Sequence, residues 1–373
     1  MKRLRSVGYL SGYEPAPARV GVTRYEPDSA CAGYNIAVSG HAPEAWLFDM
    51  QGRVLHRWRK EYLEVFPDAP IPGDTETPFY WRRVHCFPNG DLLAVFEGLG
   101  LVKLDRDSRV KWALPRPVHH DVRVTADGTI YTLIRELRML PRIHPREPVL
   151  EDYVAVIDEE GRVLRTISLL QAFERSSYRG ILDRMPEGGG LFHTNTVEVF
   201  DGSLEALSPL YRRGNALISL LTVDAIGIVD LAGEEVVWAA TGSWKAQHQP
   251  ALLENGGILL LDNRGWGGRS RAIEMDPRTG EVTWTYGETP QTAFATYDCG
   301  SVARLPNGNT LITESDRGRA FEITRSGRVV WEYYNPARAG ERKELIATLF
   351  EVVRIPARDL GPWFEAPGDK DVR

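Results

Sequence analysis

Three histidines of this 373-residue chain stand at one place in a repeated phrase. Each copy of the phrase opens with an apolar strand that ends in a turn built on Asn or Asp beside Gly. Seven residues before the turn residues Asn89, Asp127, Asp201, Asn255 and Asn307 stand Arg82, His120, Thr194, His248 and Gly300. Phe350 takes that place in the last copy. His193 lies one place from Thr194, His119 one place from His120, and Asp121 and Gln247 flank the set. A neutral imidazole is a competent nucleophile near pH 7, and a second can give or take the proton of a leaving or attacking group. Three imidazoles with an open position are also a workable metal set. The residue types leave both chemistries open. His41, His56, His85 and His144 fall off this register and read as structural.

The phrase itself says what must position these rings. Its clearest copies are Arg82–Trp112, His248–Trp284 and Ser301–Trp331. Each runs strand, turn, strand, Asp or Thr, Gly turn, and a strand that ends in Trp. Repetition of short strands at this spacing predicts a β-propeller, because one unit cannot bury its apolar face alone. The closing hairpins Asp49–Trp58, Asp105–Trp112, Asp158–Ile167, Asp230–Trp238, Asp276–Trp284 and Thr324–Trp331 make six blades. The first blade lacks its opening strand, and Leu349–Pro356 near the C-terminus supplies one. The fold expected is therefore all-β: a six-bladed propeller of four-stranded antiparallel blades, with the C-terminal strand closing the N-terminal blade. Residues 1–32 form an arm, 33–356 the propeller and 357–373 a tail. The blades lie near 33–58 plus 345–356, 82–114, 119–168, 192–241, 247–287 and 300–334. The first strand of a blade lines the channel, so His120, His193 and His248 should meet at one mouth. Segments 60–81, 135–149 and 168–192 interrupt the repeat and are expected near a mouth, with a short helix near 169–176.

A net charge of −6 without a basic tract argues against nucleic acid or an anionic membrane as partner. The N-terminus has no apolar run of signal-peptide length. Cys31, Cys86 and Cys299 show no metal spacing and leave an odd count, so a cytoplasmic location is expected. Trp58, Trp112, Trp238, Trp284 and Trp331 recur at one blade position and read as packing between blades.

The segments HHDV (His119–Val122), FHTNTVEV (Phe192–Val199) and QHQPALLENGGILLLDN (Gln247–Asn263) resemble the bacterial arylsulfate sulfotransferase family, and so does RSRAIEMDPRTGEVTWTYG over 269–287. The similarity runs from about Gly33 to Pro356. It implies a six-bladed propeller that moves a sulfuryl group from an aryl sulfate to a phenol through a sulfohistidine, with no nucleotide donor and no cofactor. The position matching the nucleophile is His248. His120 and His193 match the acid/base and oxyanion-donor positions, with His119 beside them and Asn195, Asp121 and Gln247 near the substrate. One departure stands out. The family's Ser-Arg-His phrase is replaced by ALISLLTVDAIGIVD, placing Leu220, Leu221 and Thr222 where its Arg and His belong. Arg213, Arg264 and Arg271 are the candidates to stand in, Arg264 the best placed. Two other readings stay open: a metal held by His120, His193 and His248 for hydrolase or lyase chemistry, and a non-catalytic binding or scaffold propeller.

Overall fold

The computed structural model describes residues 14–69, 79–186, 189–339 and 342–364. Six antiparallel sheets are arranged as the blades of a propeller. Blade one is Leu349–Ile355, Tyr34–Ser39, Glu44–Phe48 and Val54–Arg59. Blade two is Arg83–Cys86, Leu92–Phe96, Gly100–Leu104 and Val110–Leu114. Blade three is Val118–Val124, Ile130–Arg138, Val149–Ile157 and Val163–Ser168. Blade four is Thr194–Val199, Asn215–Leu220, Ala225–Asp230 and Glu235–Thr241. Blade five is His248–Leu252, Ile258–Trp266, Arg269–Met275 and Val282–Tyr286. Blade six is Ser301–Arg304, Thr310–Glu314, Arg319–Ile323 and Val329–Tyr334.

The repeated turn works the same way in five blades. The side chains of Asn89, Asp127, Asp201, Asn255 and Asn307 accept the backbone N–H two residues on. The glycine between adopts φ near 80–85°, a region where a Cβ is unfavourable. The recurrent tryptophans are ties between blades. Trp58, Trp112, Trp284 and Trp331 each donate the indole N–H to a turn carbonyl of the next blade: Gly90, Glu159, Arg325 and Met50. Their rings fill the gap that wedge-shaped neighbours leave, and an indole buried there needs the acceptor it finds.

Closure follows the expected route. Leu349–Ile355 pairs with Tyr34–Ser39, Asn35 opposite Arg354. Arg354 is the bolt. Its Nε donates to Asn35 Oδ1 at 2.8 Å, its Nη1 to Glu322 Oε2 at 2.9 Å and to the Cys31 carbonyl, and its guanidinium lies over Trp331. One buried cation thus joins both chain ends to blade six. A second latch was not foreseen. Within the expected N-terminal arm, Gly21–Tyr25 adds a fifth strand outside Val329–Tyr334, Gly21 opposite Tyr334. This short GVTRY segment carries no repeat signal, and it covers an edge that would otherwise be open.

The interruptions are partly regular. Segment 135–149 begins as a continuation of blade three, whose second and third strands pair out to Arg138 and Val149. Segment 168–192 carries the helix Leu169–Arg175, capped by Ser168, which accepts from Gln171 N–H. Leu169, Leu170, Ala172 and Phe173 bury its apolar face against blades three and four. Of segment 60–81, residues 70–78 lie outside the described residues; Tyr62 and Phe66 pack on Phe96.

Replacing Arg354 by Ala should lower stability in urea denaturation by about 3–5 kcal/mol, because it strands the buried Glu322 charge. A loss below about 1 kcal/mol would show that closure does not hang on this ion pair.

Candidate active site

The inner strands of blades three, four and five start at one end of the ring with the backbone in an unusual state. His120 (φ 59°), His193 (φ 47°), Ala246 (φ 52°) and Gln249 (φ 50°) all occupy the left-handed region without being glycine. Such residues cost of order 1–3 kcal/mol each and gather where geometry serves function. The kinks interrupt the strand registers between Thr194 and Thr196 and between His248 and Ala251, and turn the imidazoles inward.

His248 is held in one tautomer. Its Nδ1 lies 2.9 Å from Asn263 Oδ1 and 3.0 Å from the Ala246 carbonyl, both acceptors. The amide of Asn263 cannot be reversed, since its Nδ2 donates to the carbonyls of Thr296 and Cys299 at 2.7 Å each. Nδ1 therefore carries the proton and Nε2 the lone pair. Nε2 is buried and has no hydrogen-bond partner among the described residues. Burial, then the charge of Arg82, pushes the ring's pKa down to about 4, so it is neutral at pH 7.

A second set stands beside it. His120 Nε2 is 3.2 Å from His193 Nε2, and the two rings meet edge to face at 4.8 Å. His120 Nδ1 lies 2.9 Å from His119 Nδ1 and 3.0 Å from Glu97 Oε1; Glu97 Oε2 also accepts the His120 backbone N–H. His119 Nδ1 faces Arg135 Nη2 at 3.3 Å, and its Nε2 faces Asp152 Oδ1 at 3.5 Å. Burial holds the pKa values of His119, His120 and His193 well below the usual range. His120 and His193 both lie within electrostatic reach of His248. The three imidazoles expected to converge are brought together, with His119 behind them.

The other expected residues fall elsewhere. Asn195 donates from Nδ2 to the Gln247 carbonyl, and Gln247 Nε2 donates to Ser219 and to the carbonyls of Leu220 and Ala225. These two bracket blade four to blade five, although Gln247 Oε1 is buried without a hydrogen-bond partner among the described residues. Asp121 accepts from Arg83 Nε, Val122 N–H and Val197 N–H and ties three blades at the axis. Burial opposes its charge, but Arg83 holds its pKa below the usual range. Arg264 is half exposed and spans to the Tyr297 carbonyl and Asp298. Arg271 is buried between Asp262 and Glu288, and exposed Arg213 lies by the Gly202 turn at the far end of its blade. Where the family's Arg and His are replaced, the backbone of Leu221 and Thr222 instead grips the carbonyls of His193 and Phe192.

Four contributors escaped the sequence reading. Arg82 stands at the shared register, is buried, and lies over Phe350, which occupies that register in blade one. Its charge reaches both His120 and His248. Its place in the count was the available signal. Asn263 closes a quoted segment, but nothing marked it as the partner of His248. Glu97 directly follows the second strand of blade two and Asp152 lies within the third strand of blade three, where no repeated phrase flags them.

Among the described residues, the donors that cluster as metal ligands are Glu97, His119 and His120, without His193 or His248. That set closes on itself by hydrogen bonds and points at the Arg135 guanidinium, so it does not fit a dication. A cavity of about 750 Å³ opens at the opposite end of the channel, lined by His85, Cys86 and the turns at Asn89 and Gly128. Arg83, which lines it and is bonded to Asp121, Glu351 and Gln249, stands between it and the histidines.

An NMR titration of the ¹⁵N-histidine-labelled chain should find His248 as the neutral Nδ1–H form from pH 8 to about pH 5. In Asn263→Asp a carboxylate would face Nδ1 and raise the ring's pKa. A His248 that titrates near 6.5 in the unaltered chain would contradict the assignment.

A search of solved structures finds a protein of unknown function from Bacteroides caccae, 12% identical, with TM-score 0.54, over 86% of this chain and 98% of that one. Virginiamycin B lyase from Staphylococcus aureus is 9% identical, with TM-score 0.46, over 85% of this chain and 89% of its own. At such identities the first likeness speaks to the fold alone, and the second is too distant to argue from. No curated protein matches the chain. The profile of the arylsulfotransferase (ASST) family matches residues 83–336, which span five of the blades and all four clustered histidines. Matched over more than half its length, the chain belongs to the arylsulfotransferase (ASST) family.

Proposed function

We propose that this propeller transfers a sulfuryl group between phenolic oxygens by way of His248. The observation that carries the reading is the state of that ring: neutral, locked with its proton on Nδ1, its Nε2 lone pair uncommitted. Nε2 forms a bond to sulfur as the bond from sulfur to the aryl oxygen breaks, and the aryl oxygen leaves as a phenolate. An acceptor phenol then gives its proton to His193 and attacks the sulfur, and the N–S bond breaks. Charge spreads over three sulfuryl oxygens in flight, and a fixed cation nearby stabilises it more than water would. Arg82, whose charge reaches His120 and His248, takes the role left open by the missing family Arg. The ring of His248 is 1% exposed, so a substrate enters by displacing a neighbour at the mouth.

Two alternatives find less support. The metal reading requires His193 and His248 among the ligands, and the clustered donors leave both out. A scaffold propeller gives no reason for four strained residues around one unpartnered nitrogen.

Purified protein supplied with p-nitrophenyl sulfate and a phenol should release p-nitrophenol and sulfate the acceptor. His248→Ala should abolish this, and Arg82→Ala should slow it roughly 100- to 1,000-fold. Full turnover in the His248 variant would remove this ring as nucleophile.

A further inference from the structure

The contacts behind His120 determine which nitrogen holds each proton. A guanidinium only donates, so Arg135 Nη2 at 3.3 Å makes His119 Nδ1 an acceptor. His120 Nδ1, 2.9 Å from the same atom, is then the donor. That leaves a lone pair on His120 Nε2, and His193 Nε2, 3.2 Å away, must donate to it. His119, with Nδ1 unprotonated and its ring neutral, carries its proton on Nε2 and points it at Asp152 Oδ1 across 3.5 Å. Four groups from two blades are thus strung in one direction, from half-buried His193 at the mouth to a fully buried carboxylate.

Asp152 is not placed like a structural carboxylate. Asp121, next to His120 in the first strand of the same blade, meets Arg83 at 2.8 Å. Asp152 stands 3.8 Å from Arg135 Nε, its partner across the strand pair, and neither oxygen closes an ordinary hydrogen bond among the described residues. The backbone N–H groups of Phe192, His193 and Thr194 face it from the next blade. Its charge is left only loosely balanced by Arg135, His119 and those amides. Glu97 flanks the middle of the string, its Oε1 3.0 Å from His120 Nδ1, where it favours the proton on that nitrogen.

We infer that His193, His120, His119 and Asp152 form a proton relay, in which Asp152 holds the proton of the acceptor phenol while the sulfuryl group moves. The relay rests on the transfer proposed above. A proton taken up at His193 Nδ1 sends the Nε2 proton to His120 Nε2. His120 passes its Nδ1 proton to His119 Nδ1, and His119 passes its Nε2 proton to Asp152. Each ring gains one proton and loses one, so all three stay neutral and only the carboxylate changes charge. The reverse sequence returns a proton to a leaving phenolate. Asp152, Arg135 and Glu97 never touch substrate; they are positioning residues for His120 and His193. Burial pushes the Asp152 carboxyl up to about 6, within reach of a proton that a neutral imidazole passes on.

The test uses the full-length chain, ¹⁵N-labelled at histidine, unaltered and as Asp152→Asn. The relay predicts Nδ1–H on His120 and Nε2–H on His193 in the unaltered chain. It also predicts that Asp152→Asn, with one ring between it and His120 and two between it and His193, shifts the ¹⁵N signals of both while leaving that of His248. Opposite tautomers, or signals of His120 and His193 unmoved by the substitution, overturn it. In the transfer assay, phenol sulfation should rise with pH as Asp152 loses its proton. Asp152→Asn should lose that limb and fall roughly 100-fold; a retained limb overturns the relay. Should Asp152→Asn not fold, His119→Gln cuts the same path and must remove the same limb. If the unaltered chain sulfates nothing, the proposed reaction fails on its own account, and the imidazole spectra still decide the relay.

Discussion

One hydrogen bond, from the ring of His248 to the amide of Asn263, decides what this site can do. An imidazole offers a lone pair at only one nitrogen, and which one depends on what stands at the other. Asn263 is itself held by two carbonyls of the segment joining blades five and six. The reactive atom is therefore set by the way two blades are joined. Reversing that amide, or loosening the joining segment, would turn the lone pair away from the channel. The propeller supplies the rest: six strands that begin at one end of a closed ring, so that residues distant in the chain share a mouth.

The electrostatics at that mouth run in one direction. Burial keeps four imidazoles neutral, and the fixed charges nearest them are mostly guanidinium groups, Arg82 and Arg135. Glu97 and Asp152 sit behind the rings that face the channel. A site of this kind suits an anion in front better than a metal dication. The same burial that keeps the rings neutral leaves each with a lone pair at ordinary pH, the state the proposed transfer requires, with no need for a proton to be removed first.

Much of this was legible in the residues. The turn phrase gave the blade count, because Asn or Asp followed by Gly has a local physical cause that survives any context. The Trp phrase marked the seams between blades, and counting back from the turns lands on His120 and His248 and one place from His193. The same count lands on Arg82, to which the family resemblance does not point because the family keeps its Arg elsewhere. Asn195, Asp121 and Gln247 were drawn to the substrate by adjacency in sequence. Adjacent residues in a strand point to opposite faces, and these three turn toward neighbouring blades. Asp152 and Glu97 left no trace, since their nearness to His119 and His120 is a tertiary fact. The latch formed by Gly21–Tyr25 was missed because five residues of edge strand carry no periodic signal.

The most direct test is to quench the protein within its first turnover on an aryl sulfate and map the modified peptide. The account predicts a single SO₃ group on the imidazole of His248, at Nε2, which disappears when a phenol is added. An adduct on His120 or His193, or steady turnover with no nitrogen-bound sulfuryl group, would contradict it.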